Sequence, residues 1–88
     1  MPFTVVEVQP TPNPNALKFV LDAEIADQPT SFLNAGAASG HPIASRLFAV
    51  PGVSSLLLLG DFVTVNKSPA AKWDDVVAGV QVVLSSET

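Results

Sequence analysis

Residues 56–67 read Leu-Leu-Leu-Leu-Gly-Asp-Phe-Val-Thr-Val-Asn-Lys. Two apolar, partly β-branched runs flank Gly60-Asp61, a two-residue step of the kind that closes a β-hairpin. Direct opposition across that step pairs Leu59 with Phe62, Leu58 with Val63, Leu57 with Thr64 and Leu56 with Val65. Strand side chains alternate between faces, so one face carries Leu56, Leu58, Val63 and Val65, all aliphatic. The other carries Leu57, Leu59, Phe62 and Thr64, fading into Ser55 and Asn66. A four-residue loop keeps this pairing, whereas a three-residue loop shifts it. One hairpin face is built to be buried; the other is not.

The 88 residues make one small domain, 1–88, with no room for a second core. At 48% hydrophobic and 14% charged, the composition is far from that of a disordered chain. Folding must offset an ordering entropy on the order of 100 kcal/mol, so nearly every aliphatic residue is needed in the core. The net charge of −4 argues against nucleic acid as a partner. Lys18, Arg46, Lys67 and Lys72 are scattered and form no basic run for an anionic membrane. No cysteine is present, which excludes disulfides, thiolate catalysis and thiolate ligation of zinc or iron–sulfur clusters. The amino terminus, Met-Pro-Phe-Thr-Val-Val-Glu, has no basic region and no signal-length apolar run. Nor does any stretch approach the ~18 apolar residues of a membrane span. These features predict a soluble, cytoplasmic protein.

Outward from the hairpin, Phe3–Val8 reads as a strand, bounded by Gln9-Pro10. In Pro10-Thr11-Pro12-Asn13-Pro14-Asn15 three prolines fix φ and remove three backbone donors, while the asparagines suit Asx-turns. This stiff loop is either a shaped turn or a recognition surface. Ala16–Leu21 alternates again, with Leu17, Phe19 and Leu21 on one face, and pairs antiparallel with the first strand. Asp22–Gly40 is dilute in apolar residues, and Gln28-Pro29-Thr30 argues against a continuous helix. A mostly irregular segment is expected there, with room for a short strand or helical turn and with Ile25, Phe32 and Leu33 as anchors.

His41–Val50 is predicted to be a short helix: Pro42 suits its first position, and Ile43, Leu47 and Val50 recur on one face. Pro51-Gly52 ends it. After the hairpin, Ser68-Pro69 is expected to open a second helix, Ser as N-cap and Pro at N1. Its apolar stripe is Trp73, Val76, Val77, Val80 and Leu84. Asp74 and Asp75 complement the dipole at its start, and Ser85–Thr88 should fray. Gly79 costs this helix about 1 kcal/mol against alanine and buys a close approach to the sheet. The fold class is therefore α+β, a two-layer ββαββα with an antiparallel sheet and two helices on one face.

No catalytic frame emerges. His41 stands alone before Pro42, where N-cap or surface is its plain role. Asp61 is a turn former, and the side chains of Asp74 and Asp75 diverge by about 100° on a helix. No glycine pattern matches a phosphate loop. The patch of Leu57, Leu59 and Phe62 is either an interface or is covered by Asp22–Gly40.

Two stretches together carry a resemblance. Thr11-Pro12-Asn13-Pro14-Asn15-Ala16-Leu17-Lys18-Phe19 resembles the T-P-N-P-N-x-L-K-F signature of the amino-terminal domain of Nfu/NifU-like iron–sulfur cluster scaffold proteins. Pro42-Ile43-Ala44, Leu47-Phe48, Pro51-Gly52-Val53 and Gly60–Lys67 follow that domain's later blocks in order. Trp73 stands where the family has a tryptophan opening the last helix. The resemblance runs from about Thr11 to that helix, and in it Asp22–Gly40 is longer and less regular than expected.

The resemblance implies a place in iron–sulfur cluster biogenesis. In full-length family members a separate carboxy-terminal domain with a Cys-x-x-Cys motif carries the cluster. This cysteine-free chain resembles only the first domain, so cluster ligation does not carry over. What it implies is a non-catalytic accessory domain, without cofactor or metal, that docks an iron–sulfur carrier or client protein. The candidate contacts are Thr11, Asn13, Asn15, Leu57, Leu59 and Phe62. The alternative is a self-associating structural domain using the exposed hairpin face, a monomer or weak homo-oligomer at most. An enzyme using His41 as base, and carboxylate–histidine metal binding, are the weaker rivals.

Overall fold

The computed structural model describes residues 3–86. Its strands are β1 (Val5–Pro10), β2 (Ala16–Leu21), β3 (Ala26–Phe32), β4 (Val53–Gly60) and β5 (Phe62–Lys67). Its helices are α1 (Pro42–Phe48) and α2 (Trp73–Ser86), with a single 3-10 turn over Gly36–Ala38. The strands form one antiparallel sheet in the order β1-β2-β5-β4-β3, so the β4–β5 hairpin lies inside it with a strand on either flank.

The hairpin has the register its sequence predicts: Leu59–Phe62, Leu58–Val63, Leu57–Thr64 and Leu56–Val65. Gly60 has φ 56, and Asp61 stays out of the positive region, as in the primed turn with glycine first. Leu56, Leu58, Val63 and Val65 are buried, together with Phe19 and Leu21 from β2. Ala44 and Leu47 of α1 and Val76, Val80 and Leu84 of α2 join the same cluster, so both helices cover this one face. Burying this aliphatic face is the main stabilising term of the fold.

The largest departure from expectation is β3. Asp22–Gly40 supplies a fifth strand on the β4 edge, with Ser31 opposite Leu57 and Phe32 opposite Leu56. Its register shifts between Ala26 and Thr30, the span that holds Pro29. Proline is compatible with a strand only at such an edge or irregularity. The link from β2 to β3 passes over the hairpin turn, where the Leu21 N–H donates to the Asp61 carbonyl (2.6 Å) and the Ile25 N–H to the Gly60 carbonyl (2.7 Å). Buried Phe32 and Ala38 place the segment's anchors on the helix side, whereas Leu33 is exposed.

Smaller corrections concern the ends of elements. The first strand is Val5–Pro10, displaced from Phe3–Val8, with a bulge between Val5 and Glu7. The second helix starts at Trp73 and not at Ser68-Pro69. Ser68 instead donates its N–H to Gly52 and accepts from Ala71, folding residues 68–71 into a turn. Gly79 does permit a close approach, but to Val50 after α1 and not to the sheet: an added Cβ would lie 2.6 Å from a Val50 methyl. Ser85 and Ser86 remain helical, and the fraying expected at Glu87 and Thr88 falls outside the described residues. Among the described residues no helix is long and apolar enough to cross a membrane.

Candidate functional site

The Thr11–Asn15 loop joins β1 to β2 at the end of the sheet opposite the hairpin turn. The side chains of Thr11 and Asn13 are committed to the local backbone. The Thr11 hydroxyl lies 2.9 Å from both the Asn13 and the Ala16 carbonyl oxygens, and it accepts the Asn13 N–H at 3.1 Å. Asn13 Oδ1 accepts the Asn15 N–H at 2.8 Å, an Asx-turn. Three prolines would otherwise leave this loop short of donors; the side chains close it.

Two residues from distant parts of the chain then lock it. Lys67, the last residue of β5, falls on the buried face by the same alternation that buries Val63 and Val65. It is the one buried charged residue among those described, 9% exposed. Its ammonium donates to Asn15 Oδ1 at 3.1 Å and to the Ser68 carbonyl at 3.4 Å, and it lies 5.6 Å from the Trp73 ring centroid. Its backbone N–H donates to the Asn15 carbonyl. The Trp73 indole N–H donates to the Pro14 carbonyl at 3.1 Å. Trp73 is therefore not simply core: half-buried, it ties the start of α2 to the loop. Gly52 completes the corner with φ 98, packed so closely that a Cβ would meet Ala71 Cβ at 2.6 Å.

The other candidate residues lie elsewhere. Leu57, Leu59 and Phe62 sit half-buried on the sheet face away from both helices, beside Val20, which pairs with Phe62. The Lys18 ammonium rests 4.2 Å from the Phe62 ring centroid. Asp22–Gly40 does not cover this face, since β3 extends the sheet sideways and the 3-10 turn buries Ala38 among the helix-side residues. The loop and the apolar face are thus two separate surfaces. From Asn66, beside the loop, to Phe62 is four residues of strand, roughly 13 Å.

His41 caps α1: its Nδ1 accepts the Ala44 N–H at 3.1 Å, and its ring packs edge-on against Phe32. Among the described residues no three His, Asp or Glu side chains gather as a metal site. Lys67 and Trp73 are the site residues that sequence reasoning undervalued. The signal for Lys67 was its odd position on an otherwise aliphatic strand face; Trp73 headed an apolar stripe and matched the family pattern, neither of which points to the loop.

Sheet, helices and locked proline loop together define a small α+β domain whose ordered features are packing and hydrogen bonding. The chain belongs to the Nfu/NifU scaffold amino-terminal family, whose profile, described as "Scaffold protein Nfu/NifU N terminal", matches residues 6–88. The chain is 37% identical over 70 residues to the NFU1 iron-sulfur cluster scaffold homolog, mitochondrial, of Drosophila willistoni, covering 77% of this chain and 24% of that protein. Conserved virulence factor C of Staphylococcus saprophyticus is 31% identical over 84 residues, covering 96% of this chain and 23% of its own length. The chain thus spans about a quarter of these relatives. Among solved structures, a NifU-like protein from Saccharomyces cerevisiae superposes with TM-score 0.77 at 28% identity, covering 90% of this chain and 73% of that one. Protein SAV1430 from Staphylococcus aureus gives TM-score 0.76 at 25% identity, covering 94% and 98%.

Proposed function

We propose that this domain is a non-catalytic accessory module of iron–sulfur cluster assembly, docking a carrier or client protein while ligating no cluster itself. Family membership and the iron–sulfur scaffold names of the fly relatives supply the iron–sulfur context. The observation that carries a docking role is the sheet face of Leu57, Leu59, Phe62 and Val20, half-exposed because both helices lie on the other side. Thr11, Asn13 and Asn15 contribute as the rigid frame of the adjoining end; Pro12, Asn13 and Pro14 are its exposed surface. The absence of cysteine supports non-ligation, since thiolates are the usual cluster ligands. We place the domain in the cytoplasm; cell fractionation decides between this and the mitochondrial setting named for the fly relatives.

Affinity capture from native extract tests the docking role. The unmodified chain should enrich iron–sulfur assembly components or iron–sulfur client apoproteins, and Phe62→Asp, at a half-exposed position, should fold and lose them. An unchanged set of captured proteins contradicts the reading. Self-association through the same face is the alternative, and a dimer in sedimentation that Phe62→Asp dissolves would favour it.

A further inference from the structure

His41 is the one histidine of the chain, and its ring serves as an acceptor. Pro42, at the first helical position, has no N–H and holds the residue before it extended; His41 has φ −109 and ψ 115. The His41 backbone is pinned on both sides, its N–H donating to the Ala38 carbonyl and its carbonyl accepting the Ser45 N–H, each at 2.9 Å. That leaves Nδ1 3.1 Å from the Ala44 nitrogen, whose N–H is one of the donors that a helix start leaves without a backbone partner. The ring is held from the side as well, edge-on to Phe32 with centroids 5.3 Å apart. Serine, threonine or asparagine would cap without titrating. An imidazole changes charge between about pH 5 and pH 8.

Nδ1 accepts only while it carries no proton, so this cap requires the neutral ring with its hydrogen on Nε2. A second proton lands on Nδ1 and turns one donor against another, the Ala44 N–H. It also sets a positive charge at the positive end of α1. The elements around the ring place no carboxylate beside it among the described residues. β3 carries Asp27, but next to Ala26, which pairs with Gly60 at the opposite end of the strand from Phe32. The 3-10 turn and β4 carry no charged residue. On α1 the charged residue is Arg46; with Asp75 of α2 it lines a cavity at the other end of that helix, beside Ala49 and Pro51. Asp74 precedes Asp75 in the first turn of α2.

We infer that His41 is a pH-sensitive latch: on acidification it releases Ala44, and the first turn of α1 loosens while the sheet stays intact. The capping contribution is present on the alkaline side and is lost as pH falls. The test is NMR of the isotope-labelled chain between about pH 8 and pH 5. At the alkaline end the ring nitrogen shifts should report the Nε2–H tautomer. On acidification the Ala44 and Ser45 amide signals should move with the ring titration. Exchange at Ala44, corrected for its intrinsic pH dependence, should quicken about fivefold, the factor a typical cap represents. Val63 and Val65, at the centre of the sheet, should keep their protection. His41→Asn retains an acceptor that does not titrate and should flatten the response; His41→Ala should exchange at the fast rate throughout. An Nδ1–H tautomer at the alkaline end, an Ala44 amide indifferent to the ring titration, the same response in His41→Asn, or equal loss of protection at Val63 and Val65 would overturn the inference.

Discussion

Lys67 sits under the proline loop with no carboxylate among its contacts with the described residues; an amide, a carbonyl and an indole ring receive its ammonium. Removing one acceptor from a buried donor costs more than removing both members of the pair. Asn15→Ala should therefore lower stability by about 1–3 kcal/mol in urea unfolding. Adding Lys67→Met to it should recover part of that loss, whereas strictly additive losses would mean that the pair is not coupled. His41 is a cap with an ordinary magnitude: His41→Ala should cost about 1 kcal/mol and His41→Asn should restore most of it. Gly52→Ala combines a positive φ with a 2.6 Å overlap on Ala71. It should cost at least about 1–3 kcal/mol, measured by the same unfolding curves.

At the scale of elements, the hairpin was legible because its information is local: two apolar runs, a glycine turn and strict alternation. The stripes of α1 and α2 were legible for the same reason, and so was His41 as a cap. β3 was not, because Ala26–Phe32 has little strand character of its own and is held by β4, more than twenty residues away in the chain. Ser68-Pro69 misled in the opposite direction. It carries a helix-start signal, yet its backbone is claimed by Gly52, Lys67 and Ala71. The crossing of β2–β3 over the turn makes the hairpin and β3 interdependent. Lengthening the turn by two glycines after Gly60 should strip exchange protection from the Leu21 and Ile25 amides and loosen β3. Unchanged protection at Ile25 would show that the crossing does not depend on the tight turn. At Gly60 itself a Cβ meets nothing, so conformation alone decides: Asn should be tolerated and Val should cost about 1–2 kcal/mol.

The whole molecule is one sheet with a helical side and an open side, and that division organises its surfaces. The candidate residues of the loop were legible from three prolines and the family pattern; that Asn15 and Pro14 turn their oxygens inward was not, because their partners Lys67 and Trp73 lie 52 and 59 residues away in the chain. The apolar face of Leu57, Leu59 and Phe62 followed from hairpin alternation. Its openness required knowing where Asp22–Gly40 goes, which only the sheet order reveals. The most direct measurement is site-specific photo-crosslinking in the native host, with the reactive side chain at Leu59 or, as a control, at Leu33, exposed just beyond the end of β3. Crosslinks from Leu59 to an iron–sulfur carrier or client, absent from Leu33, are the result predicted. Equal capture from both positions, or from Leu59 only proteins unrelated to iron–sulfur assembly, would contradict the docking role.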